Sequence, residues 1–418
     1  MIDSPYRQEA EPRPPGGASI VLTPRGNAIC NETNVMLVLE QDVEFAGNIY
    51  FDEVRQCVMA RRLGDAEYSP YSEEYELHIL QYLQTLYEMH SLRTTHVNNA
   101  AKTIGYKYKR NPLQEWLSSL EWDGQERISG LFLDYFGAQH NLYMTKVSRN
   151  AMIGLVARAM KPGCKLDTMF ILEGEQGMNK ARALEALGGD YYAEVLASTD
   201  NKDFLMALRS AWVVEMAELS SMTRSDSSRI KAALSSRIDR YRPPYGRTIE
   251  TVPRTCVLFG TTNEDAYLRD ETGARRFLPV KIKRACDPDA ITADRDQLFA
   301  EAVDCYRQGE KWWDPPAGAR EEQAERYDVG PMHSRLVAYL NGDPLGDSDS
   351  SYFEAEHLGT RIEVTMDEVL EKVYRMEVSK RDRRASTDAA RELRHLGYRR
   401  VSKRDDKGRV TKVYRLPE

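Results

Sequence analysis

Six cysteines in 418 residues, scattered as Cys30, Cys57, Cys164, Cys256, Cys286 and Cys305 and never as Cys-x-x-Cys, argue against a disulfide framework and a thiolate zinc site. They read as core thiols in a reducing compartment. The seven histidines show no partner spacing and read as structural or surface residues. No apolar run reaches the ~18 residues that a spanning helix needs, so no membrane segment is expected. The first ten residues, Met1-Ile-Asp-Ser-Pro-Tyr-Arg-Gln-Glu-Ala10, lack the basic-then-apolar order of a secretion signal, which points to the cytoplasm. What is present is ordinary globular composition, 41% hydrophobic and 29% charged, over a length that suits two or three domains.

The net charge of −7 hides an asymmetry. From Arg375 to Glu418 there are 15 Lys/Arg against 7 Asp/Glu, which leaves −15 on residues 1–374. A basic module appended to an acidic body suggests nucleic-acid binding at that end, with a solvated helical face as the plainer reading.

Along the chain, residues 1–18 are rich in Pro, Gly and charge and are expected to be a disordered tail. Residues 19–110 read as a mainly helical region, with Tyr75, Leu77, Ile79, Leu80, Leu83 and Leu86 forming one helical stripe. Asn111-Pro112 opens another helix, with Trp116 and Trp122 in packing roles. A core is expected over 111–284, then a helical extension over 285–341 in which Trp312-Trp313 anchor two units. An acidic, Gly/Pro-containing linker covers 342–360. In the basic end, 361–418, Thr365-Met-Asp-Glu368 has capping-box spacing and opens a helix over Met366–Tyr374. A second helix over Ser386–Leu396 and strands Tyr398–Arg404 and Arg409–Leu416, turning at Asp405–Gly408, complete a winged-helix-like pattern. Its basic helix Lys380–Arg394 would be the recognition element.

The richest chemistry lies in Thr168–Ala181. An apolar strand runs into Glu173-Gly174-Glu-Gln176-Gly177-Met-Asn179-Lys180-Ala181, a glycine-bearing loop with a lysine that suits a phosphate. The full pattern places glycine before the lysine and Ser or Thr after it, where this chain has Asn179 and Ala181. Asn tolerates left-handed backbone geometry, whereas Ala181 removes the hydroxyl that ligates Mg²⁺. Next, Trp212-Val-Val-Glu215-Met-Ala-Glu218 is a strand ending in carboxylates. Thr255–Asn263 is a strand ending in polar side chains, followed by Asp270-Glu-Thr-Gly-Ala-Arg275-Arg276-Phe277. Strand ends of an open α/β sheet are where ligands bind.

Pro112–Gly124, Lys161-Pro-Gly-Cys-Lys165, Glu173–Gly177, Asp239-Arg-Tyr-Arg-Pro-Pro-Tyr-Gly246 and Thr261-Thr-Asn263 with Asp270–Phe277 together resemble the virulence-associated E family, phage and mobile-element proteins related to superfamily 3 helicases. The resemblance covers about residues 105–285. It implies an α/β fold with a P-loop AAA+-type ATPase core, a homo-oligomeric ring, usually a hexamer, and ATP and Mg²⁺ as cofactors. A DNA single strand in the ring channel is the implied partner, with duplex at the C-terminal module as a further one. Carried over residue by residue, Gly174, Gln176, Gly177, Asn179, Lys180 and Ala181 would form the phosphate loop, with Lys180 on the β- and γ-phosphates. Glu215 would hold Mg²⁺ and Glu218 would polarise the attacking water, with the reverse assignment open. Asn263 would be the sensor, and Arg275 or Arg276 an arginine finger for the neighbouring subunit. Arg240, Arg242, Tyr245 and Arg247 occupy the place of a DNA-gripping hairpin, against the alternative of a packed turn. The implied function is an ATP-dependent DNA helicase or replication initiator. A ring-forming DNA-binding or scaffold protein with weak or absent hydrolysis is the alternative that Ala181 keeps open.

Overall fold

A computed structural model describes residues 17–196, 201–219, 224–241, 249–268, 271–326, 332–343, 360–404 and 410–417. The chain divides into two units, Met1–Asp265 with Thr272–Gln323, and Ala266–Glu271 with Ala324–Glu418.

The first unit begins with α1 (Glu32–Gln41), β1 (Ile49–Asp52), β2 (Cys57–Ala60), β3 (Ser69–Pro70), α2 (Glu73–Leu86), α3 (Thr94–Lys107) and β4 (Lys109–Arg110). Asn31 and Ser72 cap α1 and α2 by accepting from the N–H of Asn34 and Tyr75. Val35 and Val38 of α1, Ile79 and Leu83 of α2, and Val97, Ala101 and Ile104 of α3 pack with Ile49 and Ala60. The helices cover a small sheet of order β3-β2-β1-β4, in which β1 and β4 alone run parallel. These strands are two to four residues long, too short for a period-two signal, so sequence periodicity shows only the helices.

The larger part of this unit follows the order α4 (Pro112–Ser119), α5 (Leu142–Met160), β5 (Met169–Glu173), α6 (Lys180–Gly188), β6 (Tyr192–Leu196), α7 (Asn201–Arg209), β7 (Val213–Ala217), α8 (Arg224–Ser235), β8 (Ile238–Tyr241), β9 (Glu250–Pro253), β10 (Val257–Thr262), β11 (Phe277–Lys281), α9 (Pro288–Arg307) and α10 (Ala319–Glu325). Five strands form a parallel sheet of order β11-β5-β10-β7-β6. Every residue of β5, β7 and β10 is buried, which is why these strands read as unbroken apolar runs. Trp212 and Trp116 both lie against Phe299 of α9, with ring centroids 4.8 and 5.3 Å away. Trp312 and Trp313 also pack into this core, and the Trp312 indole donates to the Lys165 carbonyl at 2.8 Å. The tryptophan pair therefore belongs to the interior of the first unit and does not join two units.

From β5 the chain travels to the far edge at β6, returns through β7 to β10 beside β5, and then crosses to β11 on the other side of β5. The loop after β5 therefore sits where the succession of strands changes sides, the usual crevice for a ligand.

The second unit contains α11 (His333–Asn341), β12 (Glu363–Thr365), α12 (Met366–Glu368, continued by a π-helical turn Val369–Val373), α13 (Arg383–His395), β13 (Arg399–Arg404) and β14 (Val410–Arg415). Thr365 and Glu368 form a reciprocal capping box, with N–H to side-chain distances of 2.7 and 3.2 Å. Leu336, Leu340, Val369, Leu370, Ala389, Leu393 and Tyr414 build a separate core beside an antiparallel sheet of order β12-β14-β13. The span 285–341, expected as one helical extension, is divided, with α9 in the first unit and α11 in the second. The tail 1–16, most of the linker (344–359) and the turn Asp405–Gly408 lie outside the described residues.

Candidate active site

Because the five strands are parallel, their C-terminal ends open on one edge. β5 ends at Glu173, and the loop from Gly174 to Asn179 leads to Lys180, the first residue of α6. Gly174 leaves the sheet close to Ile282, whose Cβ would lie 3.2 Å from any side chain added there. Gly177 has φ +85° and open space around it. Asn179 takes the left-handed conformation, φ 58° and ψ 24°, which asparagine accepts better than most residues. Among the described residues, no carbonyl or side chain accepts from the N–H groups of Glu175 to Lys180. With the start of α6, these donors make a concavity of the kind that suits an anion.

The Lys180 ammonium is nearly buried, 9% exposed. It donates to the carbonyls of Gly174 and Glu175, the latter at 3.0 Å, and to Asn263 Oδ1 at 3.1 Å. Asn263 follows the last residue of β10, so the neighbouring strand brings its amide to the lysine. Burial lowers the Lys180 pKa, opposed by Cys286 and Glu215. Cys286 tethers the loop through its N–H to the Met178 carbonyl at 3.0 Å, and burial pushes its thiol up to about 11.

Glu215 lies in β7, only 2% exposed, with each carboxylate oxygen held. The Tyr192 hydroxyl donates to Oε2 at 2.6 Å and the Thr261 hydroxyl to Oε1 at 2.7 Å. Burial raises the Glu215 pKa; the two hydroxyls and Lys180 oppose it, while Glu194, its register partner on β6, adds to it. Burial also raises the Tyr192 pKa, with Glu215 contributing. Glu218 lies just beyond β7, exposed, with left-handed backbone at φ 54°. That conformation is costly for a non-glycine residue, and it occurs where the chain leaves β7 at the C-terminal edge of the sheet. Ala181, on the exposed side of α6, offers only a methyl group.

Among the described residues no group of three His, Cys, Asp or Glu side chains forms a metal cage. The buried carboxylate of Glu215 in β7 has the chemistry that Mg²⁺ takes, one or two carboxylates beside phosphate oxygens and several waters.

The remaining residues singled out in the sequence stand elsewhere. Arg275, exposed, and Arg276, half-buried, end a 3₁₀ turn just before β11. They are therefore at the N-terminal edge of the sheet, opposite Lys180. Arg240 is exposed on the hairpin of β8 and β9. A buried Arg254–Asp239 ion pair fixes the base of that hairpin, with the Arg254 Nε 2.9 Å from Oδ2. Arg242, Tyr245 and Arg247 lie outside the described residues. Tyr192 and Thr261 are the site residues that sequence reasoning did not assign. Thr261 stands two positions before Asn263 in a quoted motif, a period-two signal for a shared sheet face, whereas nothing marks Tyr192.

The family described as virulence-associated protein E-like domain matches residues 117–329. Among solved structures, the apo structure of the NrS-1 C-terminal region is similar at 10% identity and a TM-score of 0.49, covering 88% of this chain and 96% of its own. An A-form apo structure of the same region is similar at 9% identity and a TM-score of 0.49, with the same coverage. No curated protein matches the chain.

Proposed function

Since this chain belongs to the virulence-associated protein E-like family, we propose that it is a phage or mobile-element replication ATPase that binds MgATP at the Lys180 loop and acts on DNA as an oligomeric ring. The observation that carries the reading is the hydrogen bond from Lys180, after the end of β5, to Asn263, after the end of β10, with the buried carboxylate of Glu215 inside the adjoining strand β7 near enough to act on the Lys180 charge. In this reading residues 111–284, most of which lie in the first unit, are a P-loop AAA+-type core. The N–H groups from Glu175 to Lys180 hold the phosphates, and Lys180 exchanges its carbonyl partners for phosphate oxygens. Asn263, already bonded to Lys180, orients the γ-phosphate and the attacking water. Glu215 would hold Mg²⁺, which supplies charge neutralisation on the phosphates, and Tyr192 and Thr261 keep its carboxylate plane fixed. Glu218, exposed beyond the strand end, polarises the water.

The place of Arg275 and Arg276 supports an oligomer. They are separated from their own chain's Lys180 edge by a five-residue strand, and such a strand spans about 15 Å, so their charge serves a neighbour's site better than their own. Arg240, with Arg242, Tyr245 and Arg247, would contact a DNA strand in the ring. The second unit, as a winged-helix-like module, would contact duplex through α13 and β13, where Arg383, Arg394, Arg399, Arg400 and Arg404 are exposed.

Ala181 favours a second reading, a ring-forming scaffold that binds nucleotide without efficient hydrolysis. Phosphate release from MgATP, with and without single-stranded DNA, decides between them. DNA-stimulated turnover that Glu215→Gln abolishes is the expected result. Binding without turnover would establish the scaffold reading, and neither binding nor turnover would overturn both.

A further inference from the structure

The last turn of α3 and the edge strand after it carry a feature that the ATPase reading does not use. From Met89 to Gln114 the chain has five cations, Arg93, Lys102, Lys107, Lys109 and Arg110, and no Asp or Glu, within a body that is otherwise acidic. Residues 106–110 read Tyr-Lys-Tyr-Lys-Arg, and all five are exposed.

The fold places these side chains outward for a reason. Helix α3 buries Val97, Ala100, Ala101, Ile104 and Gly105. This leaves Lys102 and Tyr106, four residues apart, as neighbours on its outer face. Gly105 lets the last turn press onto the sheet, since a Cβ there would lie 2.9 Å from Val58 Cγ2. Tyr106 is 56% exposed, and its ring is backed by Phe51 with centroids 4.8 Å apart. Tyr108 is 47% exposed. Its hydroxyl donates to Glu40 at 3.2 Å, and Lys107, which also pairs with Glu40, lies 5.4 Å from its ring centroid. Both rings are thus braced at one side and open at the other. Arg110 is held by Glu115 at 2.6 Å, whereas Lys102 and Lys109 make no ion pair among the described residues.

We propose that this strip is a contact surface for single-stranded nucleic acid, with Tyr106 and Tyr108 stacking on bases and Lys102 and Lys109 answering phosphates. Exposed aromatic faces interleaved with cations match that partner, because every base has a face to stack and every linkage a charge. A duplex hides its base faces, so it gains from the cations alone. A protein partner would call for a contiguous apolar patch, and here the rings are separated by lysines.

The test uses the full chain and a labelled oligothymidylate, followed by fluorescence anisotropy at low salt, with a duplex of equal length as control. Tyr106→Ala with Tyr108→Ala should weaken single-strand binding by about tenfold or more, the scale of one or two lost stacked bases. Duplex affinity should stay the same, and the double phenylalanine variant should bind like the wild type, which separates stacking from misfolding. Photocrosslinking with an iodouracil-containing strand should place adducts on Tyr106 or Tyr108. Unchanged single-strand affinity, an equal loss on duplex, or adducts only outside residues 102–110 would overturn the proposal, whatever the outcome for ATP hydrolysis.

Discussion

Replacing Tyr192 by phenylalanine removes one oxygen, keeps the ring, and leaves Oε2 of the buried Glu215 without its donor at 2.6 Å. A hydrogen bond to a charged group contributes about 1.5–3 kcal/mol, and the vacated oxygen has little access to water because Glu215 is 2% exposed. For a domain of this size each kcal/mol lowers Tm by about 2–4 °C, so the variant should melt about 3–12 °C below the wild type near neutral pH. The effect should depend on pH with a definite sign. Burial raises the folded pKa of Glu215 above its unfolded value, so its contribution to stability falls as pH rises from the ordinary carboxylate range through the raised value. The Tyr192 hydroxyl opposes this shift by favouring the anion. Its removal raises the folded pKa further, and the deficit of the variant should widen as pH rises above the ordinary carboxylate range. Scanning calorimetry of the full chain over that rise in pH reads the effect. An unchanged Tm, or a deficit equal at both ends, would refute the view that the hydroxyl holds a buried carboxylate anion.

Gly188→Ala should lower Tm and weaken ATP binding together, because its Cβ would lie 2.9 Å from Val213 Cβ and 3.0 Å from Tyr192 Cβ. Helix α6 must then shift at a cost of about 1–3 kcal/mol, moving Lys180 at its other end. Ala181→Ser should raise Mg²⁺-dependent turnover by adding an oxygen ligand, and flat turnover in a folded variant would show that this position does not limit catalysis. Arg275→Ala or Arg276→Ala should reduce turnover far more than ATP affinity, and mixing either variant with Lys180→Ala subunits should restore part of the rate. A loss of binding equal to the loss of rate would place these arginines in their own chain's site.

The sequence made some levels of this structure readable and hid others for physical reasons. The fully buried strands β5, β7 and β10 appear as apolar runs closed by Gly, Glu and Asn, so their existence and their chemistry-bearing ends were visible together. The order of motifs from Pro112 to Phe277 identified the family. Thr365 and Glu368 marked a helix start through their spacing. The sheet around Ile49–Asp52 was hidden because its strands are two to four residues long. Tyr192 was hidden because its role depends on the register of β6 against β7, which no local pattern encodes. Trp312 and Trp313 misled because a bulky aromatic pair looks the same in sequence whether it closes one core or joins two. The separation of Arg275 and Arg276 from Lys180 required the sheet order, since Arg276 adjoins a strand that lies directly beside β5.

Calorimetric titration of MgATP into the wild-type chain and into Lys180→Ala tests the central claim most directly. Among the described residues, Lys180 is the one cation that the loop, the residue after β10 and the start of α6 hold together at the sheet edge. Its loss from a desolvated triphosphate site should weaken binding by about a hundredfold or more, roughly 2.7 kcal/mol. Saturable binding by the wild type with that loss in the variant is the predicted result. Equal affinity in the two proteins, both folded, would contradict the assignment of the Thr168–Ala181 segment as a nucleotide site.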